Sequence, residues 1–129
     1  MRATVFLISL LGFIGSAHGA PITLICNGSL TLDGKQSDIV RETAIVDMDR
    51  RMLKPPLYPE FPITAVKEND ITFGSEMTNL SASGGLDRVS GTLYFNAMLP
   101  AERKNLQAGG TFKFIAWMSA KCVPAQRMF

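Results

Sequence analysis

Apolar and polar residues alternate with a period of two along most of the chain beyond residue 20. Between Ile22 and Leu32 the even positions carry apolar residues, cysteine or glycine, whereas most odd positions are polar. Because successive side chains of a β-strand point to opposite faces, this alternation predicts half-buried strands and excludes a helix with a 3.6-residue repeat. The chain is therefore predicted to fold as an all-β domain.

The same alternation predicts which side chains of three later strands face inward. The second strand is predicted to bury Val40, Ala44, Val46 and Met48. The strand over Thr92–Leu99 is predicted to bury Leu93, Phe95, Ala97 and Leu99. The last strand, over Thr111–Cys122, is predicted to bury Phe112, Phe114, Ala116, Met118, Ala120 and Cys122.

Shorter segments complete the predicted sheet. Met52–Leu53 returns from the second strand, Pro62–Lys67 and Ile71–Ser75 form a hairpin, and Leu86–Gly91 is a turn between two strands. About seven or eight strands with local connections predict an antiparallel meander closed into a small barrel. A two-layer β-sandwich has the same sequence signature and is the alternative.

Two segments interrupt the strand pattern. Lys54–Pro62 is rich in proline, which lacks the amide that a central strand needs, so we expect an extended loop. This loop is predicted to pack Leu57, Tyr58 and Phe61 over one end of the sheet. Pro100–Gly110 is predicted to hold a short helix, because proline suits a first helical turn and the two final glycines would end it.

The N-terminus has the three parts of a secretory signal peptide. Arg2 gives a basic start, Val5–Ile14 is an apolar run, and small residues lead to a predicted cut between Gly19 and Ala20. The apolar run is about half of the roughly 20 residues that a membrane-spanning helix needs, and no second long run follows. We therefore predict a signal peptide over 1–19, a single β-domain over 20–129 without a transmembrane helix, and a secreted or periplasmic location.

Cys26 and Cys122 are the only two cysteines of the chain. An even number of cysteines in an exported domain predicts a disulfide. Both residues belong to the inward series of their strands, so the bridge would join the first strand to the last. A redox-active or metal-binding thiol pair would favour a C-x-x-C spacing, which the sequence lacks.

The single histidine, His18, lies inside the predicted signal peptide. The mature domain would therefore lack the imidazole of Ser-His-Asp and Cys-His catalysis and of His-based zinc sites. The chain carries 13 basic and 11 acidic residues, and loss of Arg2 leaves the domain almost neutral without a basic cluster. We expect no nucleic-acid binding, no cofactor, no metal site and no enzymatic activity.

Two pairs of carboxylates are weighed as cation ligands. Asp47 and Asp49, like Glu68 and Asp70, fall on one side of an extended chain. Calcium takes about six to eight oxygen ligands, and neither pair belongs to such an array. Both pairs sit at predicted turns, where these residue types stabilise the backbone. In the turn after Leu86, Asp87 is likewise expected to accept hydrogen bonds from backbone amides.

One outward set of side chains is a candidate interaction patch. If the even face of the last strand is buried, Ile115 and Trp117 point outward, and so do Tyr94 and Met98 on the preceding strand. Pairing of these strands would place an aromatic and aliphatic patch on the surface, which predicts binding to a protein partner, a second copy or a membrane surface. The alternative is that Pro100–Gly110 or the proline-rich loop covers it.

Three stretches carry a resemblance: Leu24–Gly28, Gly85–Leu93 and Lys121–Phe129. They resemble a group of small exported proteins of soil-dwelling alphaproteobacteria. Those proteins have an early Cys-x-Gly, a central (Ile/Leu)-Asp-Arg-x-(Ser/Thr)-Gly turn and a cysteine near the C-terminus. The resemblance spans most of the mature chain and implies compartment and fold rather than an activity.

These features together predict an exported β-domain with a structural or protein-interaction role. The alternative is a small barrel that binds an apolar ligand in its interior. In that case Phe95, Phe112, Phe114 and Met118 would line the interior, or would fill it.

Overall fold

Eight antiparallel strands form a closed barrel in the computed structural model, which describes residues 19–126. The strands are β1 (Ile22–Leu32), β2 (Lys35–Asp47), β3 (Met52–Lys54), β4 (Phe61–Val66), β5 (Asp70–Glu76), β6 (Ser81–Asp87), β7 (Thr92–Met98) and β8 (Ala116–Pro124). A single helix of the described chain, α1 (Pro100–Gln107), connects β7 to β8. The predicted closed meander is confirmed, and the chain forms a barrel rather than a sandwich.

The predicted signal peptide lies outside the described residues except for its last position. Gly19 and Ala20, which flank the predicted cut, are exposed ahead of β1. Within residues 19–126, no helix has the length and apolar character needed to cross a membrane.

Closure of the barrel occurs where β8 pairs with β1. Cys26 lies directly opposite Cys122 in this ladder, with their Cα atoms 4.1 Å apart, and the two form a disulfide. The bridge therefore links the first strand covalently to the last across 96 positions of sequence. The predicted disulfide is confirmed.

Aromatic rings fill the barrel interior at the end closed by the proline-rich loop. Phe61, Phe73 and Phe95 are buried, and their ring centroids lie 5.4 to 6.4 Å apart. Tyr58 reaches in from the loop and places its ring 4.8 Å from that of Phe95. Tyr58 and Phe61 pack as predicted, whereas Leu57 is exposed.

A β-bulge in β2 overturns the predicted burial of Val40, which is 65% exposed. Cys26 pairs with Glu42 but Gly28 pairs with Ile39, so two residues of β2 face Asn27 alone. The extra residue reverses which side chains point inward, and Ile39 is buried instead. Met48 was also predicted to be buried, but it follows the end of β2 and is exposed in the turn.

The segment between β7 and β8 corrects three further predictions. Leu99 is exposed because β7 ends at Met98 and α1 begins at Pro100. Phe112 and Phe114 are 36% and 39% exposed because β8 starts only at Ala116. They precede the strand, so their alternation does not place them inside the barrel. Of the four side chains predicted for the interior, Phe95 and Met118 are inside and these two are outside.

Candidate functional site

Of the four side chains in the predicted interaction patch, two are exposed, one is half-buried and one is buried. Tyr94 and Trp117 lie on the outer faces of the paired strands β7 and β8 and are 50% and 42% exposed. Ile115 is half-buried. Its amide donates to Ala97 O at 2.8 Å, and its carbonyl accepts from the Asp33 amide at 2.9 Å. Met98 is completely buried, so the prediction that it is exposed was wrong.

Met98 is buried because α1 lies over the end of β7. Ser81 of β6 is the register partner of Met98 and is also completely buried. Arg103 of α1 donates from Nε to Ser81 Oγ at 2.8 Å and from Nη2 to Ser81 O at 3.1 Å. The same Nη2 donates to Asn96 Oδ1 at 2.6 Å. These hydrogen bonds hold α1 over the Ser81–Met98 pair. The alternative prediction, that Pro100–Gly110 covers the patch, therefore holds at Met98.

Phe112 and Phe114, which the alternation predicted to be buried, are exposed and lie beside Trp117. We call Phe112, Phe114 and Trp117 the aromatic surface. The rings of Phe112 and Phe114 meet edge to face at a centroid distance of 5.1 Å. Phe114 and Trp117 also line a groove of about 470 Å³ beside the turn between β1 and β2.

Hydrogen bonds fix the segment that carries the aromatic surface. The Lys113 amide donates to Glu102 Oε2 of α1 at 3.0 Å. The two backbone bonds of Ile115 attach the next residues to the end of β7 and to the β1–β2 turn. The segment is thus held by three separate parts of the fold, and its aromatic rings are presented in a defined arrangement.

A different surface surrounds Tyr94 on the opposite side of β7. We call it the outer groove: a depression of about 480 Å³ lined by four strands and α1, including Thr64, Glu76, Ser83, Tyr94, Arg103 and Gln107. Partial burial lowers the pKa of Arg103, and the negative charge of Glu76 opposes that shift. The residues of this groove come from five separate elements and share no motif, so no local sequence pattern predicts it.

One of the candidate carboxylates, Asp47, stabilises a turn with its side chain. Asp47 Oδ1 accepts the Arg50 amide at 3.1 Å, and the Arg50 guanidinium pairs with Glu60 at 2.8 Å. Asp70 lies opposite Asp87 in the β5–β6 ladder. Across residues 19–126, no three His, Cys, Asp or Glu side chains are grouped so that they could hold a metal ion.

Asp87 has the role in the β6–β7 turn that its sequence context predicts. Its Oδ1 accepts the amides of Ser90 at 2.9 Å and Val89 at 2.8 Å, and these hydrogen bonds lower the pKa of the carboxyl group. Gly91 has φ of 77°, a conformation that favours glycine.

No family model, curated protein or solved structure matches the chain.

Proposed function

We propose that this protein is an exported, non-enzymatic interaction domain whose barrel presents the aromatic surface to a protein partner. The carrying observation is that Phe112, Phe114 and Trp117 are exposed together on a segment fixed by hydrogen bonds. Aromatic residues are enriched at the energetic centres of protein interfaces, where their burial on binding contributes most. A fixed segment also loses little conformational freedom when the partner binds.

Two observations support the exported, non-enzymatic part of the proposal. A disulfide between Cys26 and Cys122 is stable in the periplasm or outside the cell, where thiols are oxidised. Removal of a signal peptide over residues 1–19 would also remove His18, the only histidine. The mature domain would then recognise other molecules without an imidazole for nucleophilic or metal chemistry.

Capture experiments with the mature domain test this function. The wild-type domain, incubated with periplasmic or extracellular extract of the organism that exports it, should retain a defined partner. Trp117→Ser and Phe114→Ser should each reduce recovery of this partner about tenfold or more, as expected for interface hot spots.

Val89→Ser is the matched control, because Val89 is an exposed apolar residue in the β6–β7 turn. This turn precedes the start of β7, whereas the segment that carries Phe114 is attached to the end of β7. It should leave recovery of the partner unchanged. Equal recovery by wild type, Trp117→Ser and Phe114→Ser would contradict the proposal. A complex containing only further copies of the chain would show self-association in place of a separate partner.

A further inference from the structure

The outer groove combines hydrogen-bonding groups of opposite kinds on a surface separate from the aromatic surface. Arg103 is a pure donor, Glu76 is a pure acceptor when ionised, and Gln107 offers both functions. Thr64 and Thr72 add hydroxyls whose oxygens lie 3.0 Å apart, and each can still accept a further hydrogen bond. This mixture matches a ligand whose own groups both donate and accept.

Tyr94 forms an aromatic platform beside these polar groups. It lies directly opposite Gly85 in the β6–β7 ladder. A Cβ atom at Gly85 would be 2.5 Å from Tyr94 Cζ, so the missing side chain is what lets the ring lie against β6. One side of the ring is thereby supported by backbone, and half of the residue surface stays open to solvent.

The charged and polar side chains of the outer groove limit which class of ligand it can bind. An isolated anion would meet Glu76 and an isolated cation would meet Arg103, so neither charge is favoured. An apolar ligand would leave hydroxyl, amide and charged groups without partners, at a cost in free energy. A neutral ligand rich in hydroxyls avoids both penalties, because each hydroxyl can donate and accept.

We propose that the outer groove binds a short neutral oligosaccharide, with one sugar ring stacked on Tyr94. The C–H groups on one face of a pyranose are apolar and weakly positive, and they suit the weakly negative face of an aromatic ring. The sugar hydroxyls then bond to Glu76, Arg103 and Gln107 at the groove wall. A volume of about 480 Å³ lies within the usual range for small-molecule sites.

Part of the binding machinery is fixed before the ligand arrives. The Nε and Nη2 groups of Arg103 are already bonded to Ser81 and Asn96. Ser81 Oγ in turn donates to Glu76 Oε1 at 2.5 Å. The donor and the acceptor of the groove wall are therefore linked through one buried serine, which limits the conformational freedom lost on binding.

Two-dimensional NMR of the ¹⁵N-labelled mature domain tests the proposal with three neutral trisaccharides: maltotriose, cellotriose and N-acetylated chitotriose. At least one should give saturable shifts, with a Kd of about 1 mM or tighter. The shifted amides should cluster at Ser83, Gly85 and Gln107, and the amides of Phe112–Trp117 should stay unchanged.

Variants separate binding from folding. Tyr94→Ala should weaken binding about tenfold or more, whereas Tyr94→Phe keeps the ring and should retain most of the affinity. Gln107→Ala should weaken binding by several-fold without touching the strands. Val40→Ala, at an exposed strand position in β2 outside the groove, is the matched control and should bind like wild type.

Three results would overturn the inference. The first is the absence of a saturable shift with any trisaccharide up to about 10 mM, well above the expected Kd. The second is an affinity of Tyr94→Ala equal to that of wild type. The third is a response to inorganic phosphate in place of sugar. Sugar binding and the proposed protein interaction can be tested separately, because Trp117→Ser leaves the groove intact and Tyr94→Ala leaves the aromatic surface intact.

Discussion

At the residue scale, two side chains show how single polar groups organise this barrel. Asp87 organises the β6–β7 turn through two backbone amides. Arg103 attaches α1 to the outer faces of β6 and β7 through three hydrogen bonds. The first is a local turn effect that short-range sequence context predicts. The second joins residues that are far apart in the chain, so it depends on the complete fold.

The stability of an Asp87→Ala variant should change less between acid and neutral pH than the stability of wild type. The folded-state pKa of Asp87 lies below its ordinary value of 3.8, so its contribution is present above that pH and is lost as pH falls through the folded-state pKa. Asp87→Ala should lower the melting temperature at pH 7, and the difference from wild type should shrink at pH values below 3.8. Thermal unfolding followed by circular dichroism from acid to neutral pH measures this.

Glu68→Gln, in the exposed turn between β4 and β5, is the control for removal of a surface carboxylate. A constant difference between Asp87→Ala and wild type at every pH would contradict the assigned role of Asp87.

Replacement of Arg103 should release α1 from the barrel. Arg103→Ala removes three hydrogen bonds and leaves the buried Ser81 hydroxyl without its donor, which should cost about 1–3 kcal/mol of unfolding free energy. Amide hydrogen exchange should accelerate across residues 101–107 of α1, and urea unfolding measures the loss of stability. Lys104→Ala, at the exposed neighbouring position, should change neither quantity. Unchanged exchange in α1 of Arg103→Ala would contradict this anchoring.

At the element scale, the bulge in β2 adjusts this strand to its neighbour β1. Arg41 has φ of 51°, in the left-handed region, and its amide donates to Asn27 Oδ1 at 2.9 Å. This conformation costs a non-glycine residue about 1–2 kcal/mol. The extra residue carries Val40 to the outside and Ile39 to the inside.

Glycine at the bulge should therefore be tolerated where glycine in a regular strand is not. Arg41→Gly should raise the free energy of unfolding by up to about 1 kcal/mol, because relief of strain exceeds the added unfolded-state entropy. Thr43→Gly, two residues further along β2, should lower it by about 0.5–1 kcal/mol. Urea unfolding of both variants gives the comparison, and equal destabilisation would contradict the assigned strain.

The same elements show how far the sequence predicts the fold. Alternation identified the buried residues of β1 and β8, such as Leu24, Leu30 and Met118. It succeeded because the buried residues of both strands all lie at even-numbered positions. It failed at Val40, because a bulge depends on the opposite strand. It also failed at Phe112 and Phe114, since the alternation continues across a strand start that only the ladder defines.

The candidate surfaces were predictable only in part. Tyr94 and Trp117 were placed on the outer face from parity alone, and the structure agrees. Met98 has the same outward parity but is covered by α1, and no local pattern specifies where a helix docks. The outer groove required the relative positions of four strands and α1, which sequence periodicity does not contain.

At the scale of the whole molecule, a closed barrel with one disulfide presents two separate surfaces, the aromatic surface and the outer groove. Within residues 19–126, each of the eight strands pairs with a neighbour on both sides, so closure protects the strand edges of the barrel. The Cys26–Cys122 bridge spans almost the entire domain. Such a link restricts the unfolded chain, and small domains depend strongly on this effect.

Removal of the disulfide should destabilise the whole barrel. The Cys26→Ala, Cys122→Ala double variant should lose about 2–4 kcal/mol of unfolding free energy, as expected for a long closed loop. Urea unfolding with and without a reducing agent measures this. Reduction should destabilise wild type to a similar extent and leave the double variant unchanged. No effect of reduction on wild type would contradict the stabilising role of the bridge.

Site-specific photocrosslinking in the source organism tests most directly whether the aromatic surface binds a protein partner. A photoreactive benzoylphenylalanine would replace Phe114 in one strain and Val89, in the β6–β7 turn, in another. The proposal predicts one discrete crosslinked species from position 114, containing a second protein, and none from position 89. No crosslink at position 114, or the same products from both positions, would contradict it.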